Sequence, residues 1–294
     1  MQYGVSLPNF GPGLSARVLA GLARDAEAAG WDGFFLWDHL LPFAPGPVPV
    51  VDPWIALTAI AAATVRIRLG PLVTPLPRRR PTQLARETVA VDQLSSGRLT
   101  LGVGLGALPY EWDYLGEEPD LRTRGQMLDE GLAVLTGLWT GVPFRRQGAH
   151  YRIGGHPPDE TWSAIFAPPP VQRPRIPIWV AGTWPKRAPL RRAARWDGVC
   201  PIKADGALTP EEVRELVAFI HTQRTSAAPF DVVISGATSG EDPAAGAQAC
   251  ATYRAAGATW WIEDLNPWRF GWSGTNAWPD DAIRARIGQG PPRA

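Results

Sequence analysis

The chain has 294 residues, 45% of them hydrophobic, which suffices for a large single core. With 29 basic against 28 acidic residues the net charge is +1, so the balance gives no electrostatic reason for a nucleic-acid or acidic-membrane partner and points to a small-molecule substrate. Cys200 and Cys250 fit neither a disulfide framework nor a CxxC metal site, and MQYGVSLPNF lacks a basic stretch followed by a long apolar run, so a soluble, cytoplasmic protein is expected.

Short runs rich in Val, Ile, Leu and aromatics alternate with stretches of helical spacing. A strand at Tyr3–Leu7 leads to a helix at Leu14–Ala29, opened by Gly13 or Ser15 and closed by Gly30. Gly33–Trp37 is followed by a helix at Pro53–Ala63, Ile67–Val73 by Thr82–Leu94, and Leu99–Gly104 by Arg124–Leu138. In the second half Ile178–Ala181 precedes Lys186–Arg195, and Gly198–Pro201 precedes Pro210–Arg224 with Thr209 as its cap. Asp231–Ser235 then precedes Pro243–Ala256, and Thr259–Glu263 precedes Asp280–Ile287.

YGVSL, GFFLW and PIWVAG are continuous apolar runs, as parallel strands covered on both faces require. Eight such units, with no GxGxxG after the first strand, favour an α/β fold of the (β/α)8 TIM-barrel type, one domain over 1–294, above an open doubly wound sheet. Periodicity fails at about 105–124, 141–175 and 266–279, which reads as loops or lids. The last of these carries Trp268, Phe270, Trp272 and Trp278, equally readable as packing over the barrel mouth, a subunit contact or a substrate contact.

In a barrel the site lies at the C-terminal ends of the strands, and this filter removes most of the chain. It keeps Asn9, Asp38 and His39, Thr74, Gly104 to Gly106, Gly182 to Arg187, Lys203, Ser235 to Ser239 and Glu263 to Asn266. Four histidines, with Asp38 and His39 consecutive and so directed to opposite faces, do not make a metal site, and none is expected. His39 has the chemistry of a base, acid or donor near neutral pH; the competing reading is a histidine satisfied by Asp38 or by backbone. Gly102, Gly104 and Gly106 either admit a flat ring close to the backbone or only permit tight packing. The run Arg78, Arg79 and Arg80 reads first as a solvated charge cluster.

Several segments together resemble the bacterial-luciferase-like family of flavin-dependent oxidoreductases. They are GFFLWDHLLPF, the stretch LGPLVTPLPRRRPTQLARETVAVDQLSSGRLTLGVGLG from Leu69 to Gly106, GAHYRI around His150, FAPPPVQRPRIPIWVAG from Phe166 to Gly182, ARWDGVCPI around Asp197 and GATWWIEDL from Gly257. Their order and spacing carry the resemblance more than any one of them. It implies a short version of that family's (β/α)8 barrel, first as a monooxygenase using reduced FMN and O2 on a small organic substrate. The alternative it leaves open is a deazaflavin (coenzyme F-420) enzyme that transfers hydride; a flavin-binding protein without turnover comes third.

The same resemblance places catalytic His39 beside the cofactor ring, Thr74 near the ring's polar edge, and a backbone bulge at Pro71 to Val73 beneath it, where relatives hold a non-prolyl cis peptide. It gives Asn9, Asp38, Leu72, Val73, Thr74, Gly104 and Gly106 to the cofactor, and Gly182, Thr183, Lys186 and Arg187 to its phosphate. A homodimer is also implied. There is one departure: members that oxidise sugar phosphates carry a Glu where this chain has Ala107. Glu111 could substitute only if the loop folds back, so sugar-phosphate dehydrogenation is not expected.

Overall fold

The computed structural model describes residues 1–42, 44, 46–154 and 165–293. Its principal sheet runs β1 (Gln2–Leu7), β2 (Gly33–Leu36), β3 (Arg68–Pro71 continuing as Thr74–Pro75), β4 (Leu101–Gly104), β5 (Ile178–Thr183), β6 (Gly198–Ile202), β7 (Asp231–Gly236) and β8 (Trp260–Asp264). Every neighbouring pair is parallel, and β8 returns to β1 with Gln2 opposite Trp260. The remaining seam is closed by β3, whose first segment pairs with β2 and whose second pairs with β4. This is the expected (β/α)8 barrel.

The outer ring consists of α1 (Ala16–Ala28), α2 (Pro53–Ala63), α3 (Pro81–Leu94), α4 (Pro109–Tyr114), α5 (Leu121–Leu138), α6 (Arg187–Ala193), α7 (Pro210–Gln223), α8 (Pro243–Ala255) and α9 (Asp280–Gly288). Their starts are set by local chemistry: Ser15, Asp52 and Asp242 accept first-turn N–H groups, and Thr209 forms a reciprocal capping box with Glu212. Among the described residues no helix is long and apolar enough to cross a membrane.

Large aromatic rings fill the barrel's interior. Phe35, Trp179 and Trp260 meet one another at tilted or edge-to-face angles, with centroid distances of 5.2, 5.2 and 5.8 Å, joined by Val233, Cys200 and Ile262. Glycines make the room for them: a Cβ on Gly33 would lie 2.5 Å from Phe35, and one on Gly198 2.5 Å from Trp179. The barrel is thus plugged rather than hollow, and the open space lies above the plug, at the C-terminal ends of the strands.

The three irregular stretches hold more structure than periodicity showed. Residues 105–124 include α4, and α5 begins at Leu121, earlier than expected, because Asp120 caps it through the Thr123 N–H at 2.7 Å. Within 141–175 a small hairpin pairs Arg146–Gln147 with Arg152–Ile153, anchored where Glu130 accepts the N–H groups of Ala149, His150 and Tyr151. Residues 155–164 of that stretch lie outside the described ones. Residues 266–279 carry a 3-10 turn, Pro267–Phe270, capped by Asn266. Here Trp268, Trp272 and Trp278 pack ring to ring, with Trp272 buried.

Candidate active site

A cavity of about 1050 Å³ opens at the barrel mouth. One wall, from β3 to β5, is apolar: Leu72, Val73, Pro75, Gly104, Ala181 and Gly182. Across the barrel, β1, β7 and β8 contribute Ser6, Ser235 and Asp264, with Trp37 beside them, and Arg122, Lys186 and Arg192 form a cationic rim. The Leu72–Val73 peptide is cis, at the position that the family resemblance implied.

His39 enters this space from the end of β2. Its backbone is fixed by Asn9, which receives the His39 N–H and donates to the His39 carbonyl. Its Nδ1 lies 3.2 Å from Glu111 Oε2, and Phe10 and Trp37 meet its ring edge-on. The other Glu111 oxygen accepts the backbone N–H groups of Leu40 and Leu41 at 2.7 and 3.0 Å. Glu111 is 1% exposed. Burial pushes its carboxyl upward, but the hydrogen bonds from His39 and Leu41 and the charges of His39 and Arg78 outweigh that and hold it at about 2. The carboxylate is therefore ionised and oriented at neutral pH.

The loop does fold back, and its means are visible. Pro109 opens α4, turning Glu111 toward β2, while the neighbouring Trp112 ring is gripped between the guanidinium groups of Arg78, 4.5 Å from its centroid, and Arg124, 4.0 Å. Gly106 makes room for this grip: its φ is +84°, and a Cβ there would meet Trp112 at 2.4 Å. The tight-packing reading of that glycine is thus satisfied in full, although it also lines the cavity.

Of the other expected residues, Asp38, Leu72, Val73, Gly104, Gly182, Thr183 and Lys186 line the cavity with His39, whereas Asn9, Thr74 and Arg187 do not. Asn9 acts behind His39, as described. The Thr74 hydroxyl donates to Asp38 at 2.8 Å, and Asp38 is held by Arg79 through both oxygens. Arg187 turns outward, because its guanidinium finds the rings of Phe219 at 4.5 Å and Trp184 at 5.2 Å. Two of the three arginines of the run are not solvated: Arg78 is 4% exposed and bound to Glu111 and Glu117, and Arg79 is spent on Asp38, whereas Arg80 is exposed as expected. Arg122, Arg192, Ser6 and Trp112 carried no sequence signal. For α4, Pro109 at a helix's first position was the legible hint.

The cavity suits a planar redox ring with an anionic tail. The apolar wall offers a surface for the ring, and Gly104 adds no side chain between Val73 and Ala181, where a Cβ would come within 2.8 Å of Val73. Lys186 and Arg122 make no ion pair among the described residues, unlike Arg192, which is bound to Asp129, so they are available to a phosphate.

The sequence profile of luciferase-like monooxygenases matches residues 1–277. The chain belongs to this family. The uncharacterized protein Rv0940c of Mycobacterium tuberculosis is 30% identical over 230 residues, covering 72% of this chain and 74% of that one. An F-420-dependent glucose-6-phosphate dehydrogenase of Beutenbergia cavernae is 32% identical over 193 residues, 65% of this chain and 53% of its own length. Among solved structures, the coenzyme F-420-dependent tetrahydromethanopterin reductase of Methanopyrus kandleri superposes with a TM-score of 0.73 at 16% identity, covering 98% of both chains. That likeness speaks to the fold. The family's cofactors are of the flavin type, and its named members here are oxidoreductases.

Proposed function

We propose that the protein is an oxidoreductase that moves hydride between a deazaflavin of the F-420 type and the carbinol or carbonyl carbon of a small organic molecule. The observation that carries this reading is the His39–Glu111 pair. Removing hydride from a carbinol carbon requires the hydroxyl proton to leave, so a base must stand at the reacting oxygen. With Nδ1–H donated to Glu111, the His39 tautomer is fixed and Nε2 carries the lone pair that takes that proton; in the reverse direction Nε2 returns it. Glu111 remains ionised and stabilises the imidazolium that forms. When bound, the deazaflavin supplies the carbon that accepts or gives the hydride. Leu72, Val73 and Ala181 would hold its ring, and Lys186 and Arg122 its anionic tail. The return of Glu111 also supplies a carboxylate beside His39 despite Ala107, the departure on which sugar-phosphate dehydrogenation was not expected. A relative named for F-420 is in keeping with the reading.

A monooxygenase using reduced FMN is the second reading. It is favoured by the aromatic layer of Phe10, Trp37 and Trp268 beside His39, an apolar border of the kind that protects an oxygenated cofactor from water. Calorimetric titration with F-420 and with FMN, each oxidised and reduced, separates the two. The expected result is at least about tenfold tighter binding of the deazaflavin, with anaerobic oxidation of alcohols. Tighter FMN binding with substrate-dependent oxygen uptake would replace the first reading by the second.

A further inference from the structure

Four carboxylates line the cavity, and three of them are committed. Asp38 is bound to Arg79, Glu111 to His39 and Arg78, and Asp129 to Arg192 and Arg195. Asp264, at the end of β8, has no ion pair among the described residues; it accepts only from Asn266, through the backbone N–H at 3.2 Å and Nδ2 at 2.7 Å. A carboxylate has about four acceptor positions, so half of its capacity is open. Burial, the largest influence, raises its carboxyl above the ordinary aspartate value, as fits a group short of donors.

Its surroundings are polar and belong to the same cavity. Ser6 pairs with Asp264 in the β1–β8 register and so shares its face of the sheet. The Ser6 hydroxyl oxygen accepts the Trp37 indole N–H at 3.0 Å, which fixes it and leaves its own O–H without an acceptor among the described residues. Ser235, from β7, lines the cavity on the other side. These groups face the β3–β5 wall across the barrel.

We infer that Asp264, Ser6 and Ser235 form a substrate subsite that anchors a hydrogen-bond-donating group, a hydroxyl or an ammonium, on a molecule whose reacting carbon lies at His39. This rests on the reading that the redox ring takes the β3–β5 wall, because the substrate is then left the space between ring and β1, β7 and β8. The substrate class is thus a small alcohol or ketone bearing a second donor, a polyol or an amino alcohol, rather than a simple monofunctional alcohol.

Ligand-detected NMR titration of the cofactor-loaded protein with isopropanol, glycerol and ethanolamine tests this, with cofactor binding measured separately by calorimetry. The wild type is expected to bind glycerol or ethanolamine about tenfold more tightly than isopropanol, the worth of one additional hydrogen bond to a charged group. Asp264→Asn should erase that preference, Ser235→Ala should reduce it, and both should leave cofactor affinity within about twofold, since neither residue is on the ring's wall. A glycerol preference identifies the hydroxyl as the anchor, an ethanolamine preference the ammonium. Equal binding of all three probes by the wild type, or a preference unchanged in both variants, would overturn the subsite while leaving the cofactor reading intact. Failure of the protein to bind either cofactor in the calorimetry would instead sink the functional reading, and the subsite that rests on it.

Discussion

Asn9 grips the backbone of His39 at both of its polar groups, Oδ1 receiving the N–H at 3.1 Å and Nδ2 donating to the carbonyl at 2.8 Å. The same Nδ2 donates to Val51 O at 2.8 Å, so one fully buried side chain ties the ends of β1 and β2 to the loop before α2. Asn9→Asp removes both donors and sets a carboxylate oxygen against two carbonyls. The expected loss is about 2–4 kcal/mol of stability, from buried groups left unsatisfied. Urea denaturation measures it; a loss within about 0.5 kcal/mol, the scatter of an ordinary surface change, would mean that this clamp is not needed to hold the turn.

Glu111 makes stability depend on acid. Its folded value of about 2 lies below the ordinary 4.5, so the stabilisation is fully present above the ordinary value and is lost as pH falls toward 2. The full difference is at most about 3 kcal/mol. Urea midpoints between pH 2 and 6, a window bracketing both values, should fall more steeply for the wild type than for Glu111→Gln; parallel curves would deny the carboxylate this role. The same variant should lower hydride transfer by about a hundredfold or more, because the His39 tautomer and the imidazolium both lose their partner.

Gly106→Ala tests the support under that pair. Its positive φ and the Trp112 ring leave no place for a methyl group. A loss of about 1–3 kcal/mol is expected, accompanied by displacement of α4 and weakening of the His39–Glu111 contact. Thermal unfolding together with His39 ring NMR would show it, and an unchanged His39 signal would mean that α4 does not need this close approach.

Lys186→Gln and Arg122→Gln address the rim. If these side chains hold a phosphate, FMN should bind on the order of tenfold more weakly to the double variant while riboflavin, which lacks the phosphate, binds as before. An equal loss for both ligands would locate the effect in the ring's wall instead.

The strands were legible because parallel strands buried on both faces leave unbroken apolar runs, as GFFLW does for β2. The place of His39 at the barrel mouth was legible because a barrel confines chemistry to strand ends, whereas Leu72 to Val73 came from the family resemblance alone. What decides the site was not. Glu111 reaches His39 across 72 positions of sequence, through a six-residue helix too short to show periodicity. Arg187, Arg78 and Arg79 were misjudged for a related reason. Whether a guanidinium is solvated depends on which aromatic or carboxylate the fold sets beside it, and Phe219, Trp112 and Asp38 come from distant segments.

Trp37 lines the cavity and stacks on Trp268 with their rings 16° from parallel. An indole at that place emits in the near ultraviolet, where flavins and deazaflavins absorb, so a ring bound against the facing wall drains its excitation. Comparing the intrinsic emission of the wild type with that of Trp37→Phe isolates this one indole from the chain's 14 tryptophans. Occupancy of the barrel mouth can then be followed in real time by the protein's own light, with no label attached.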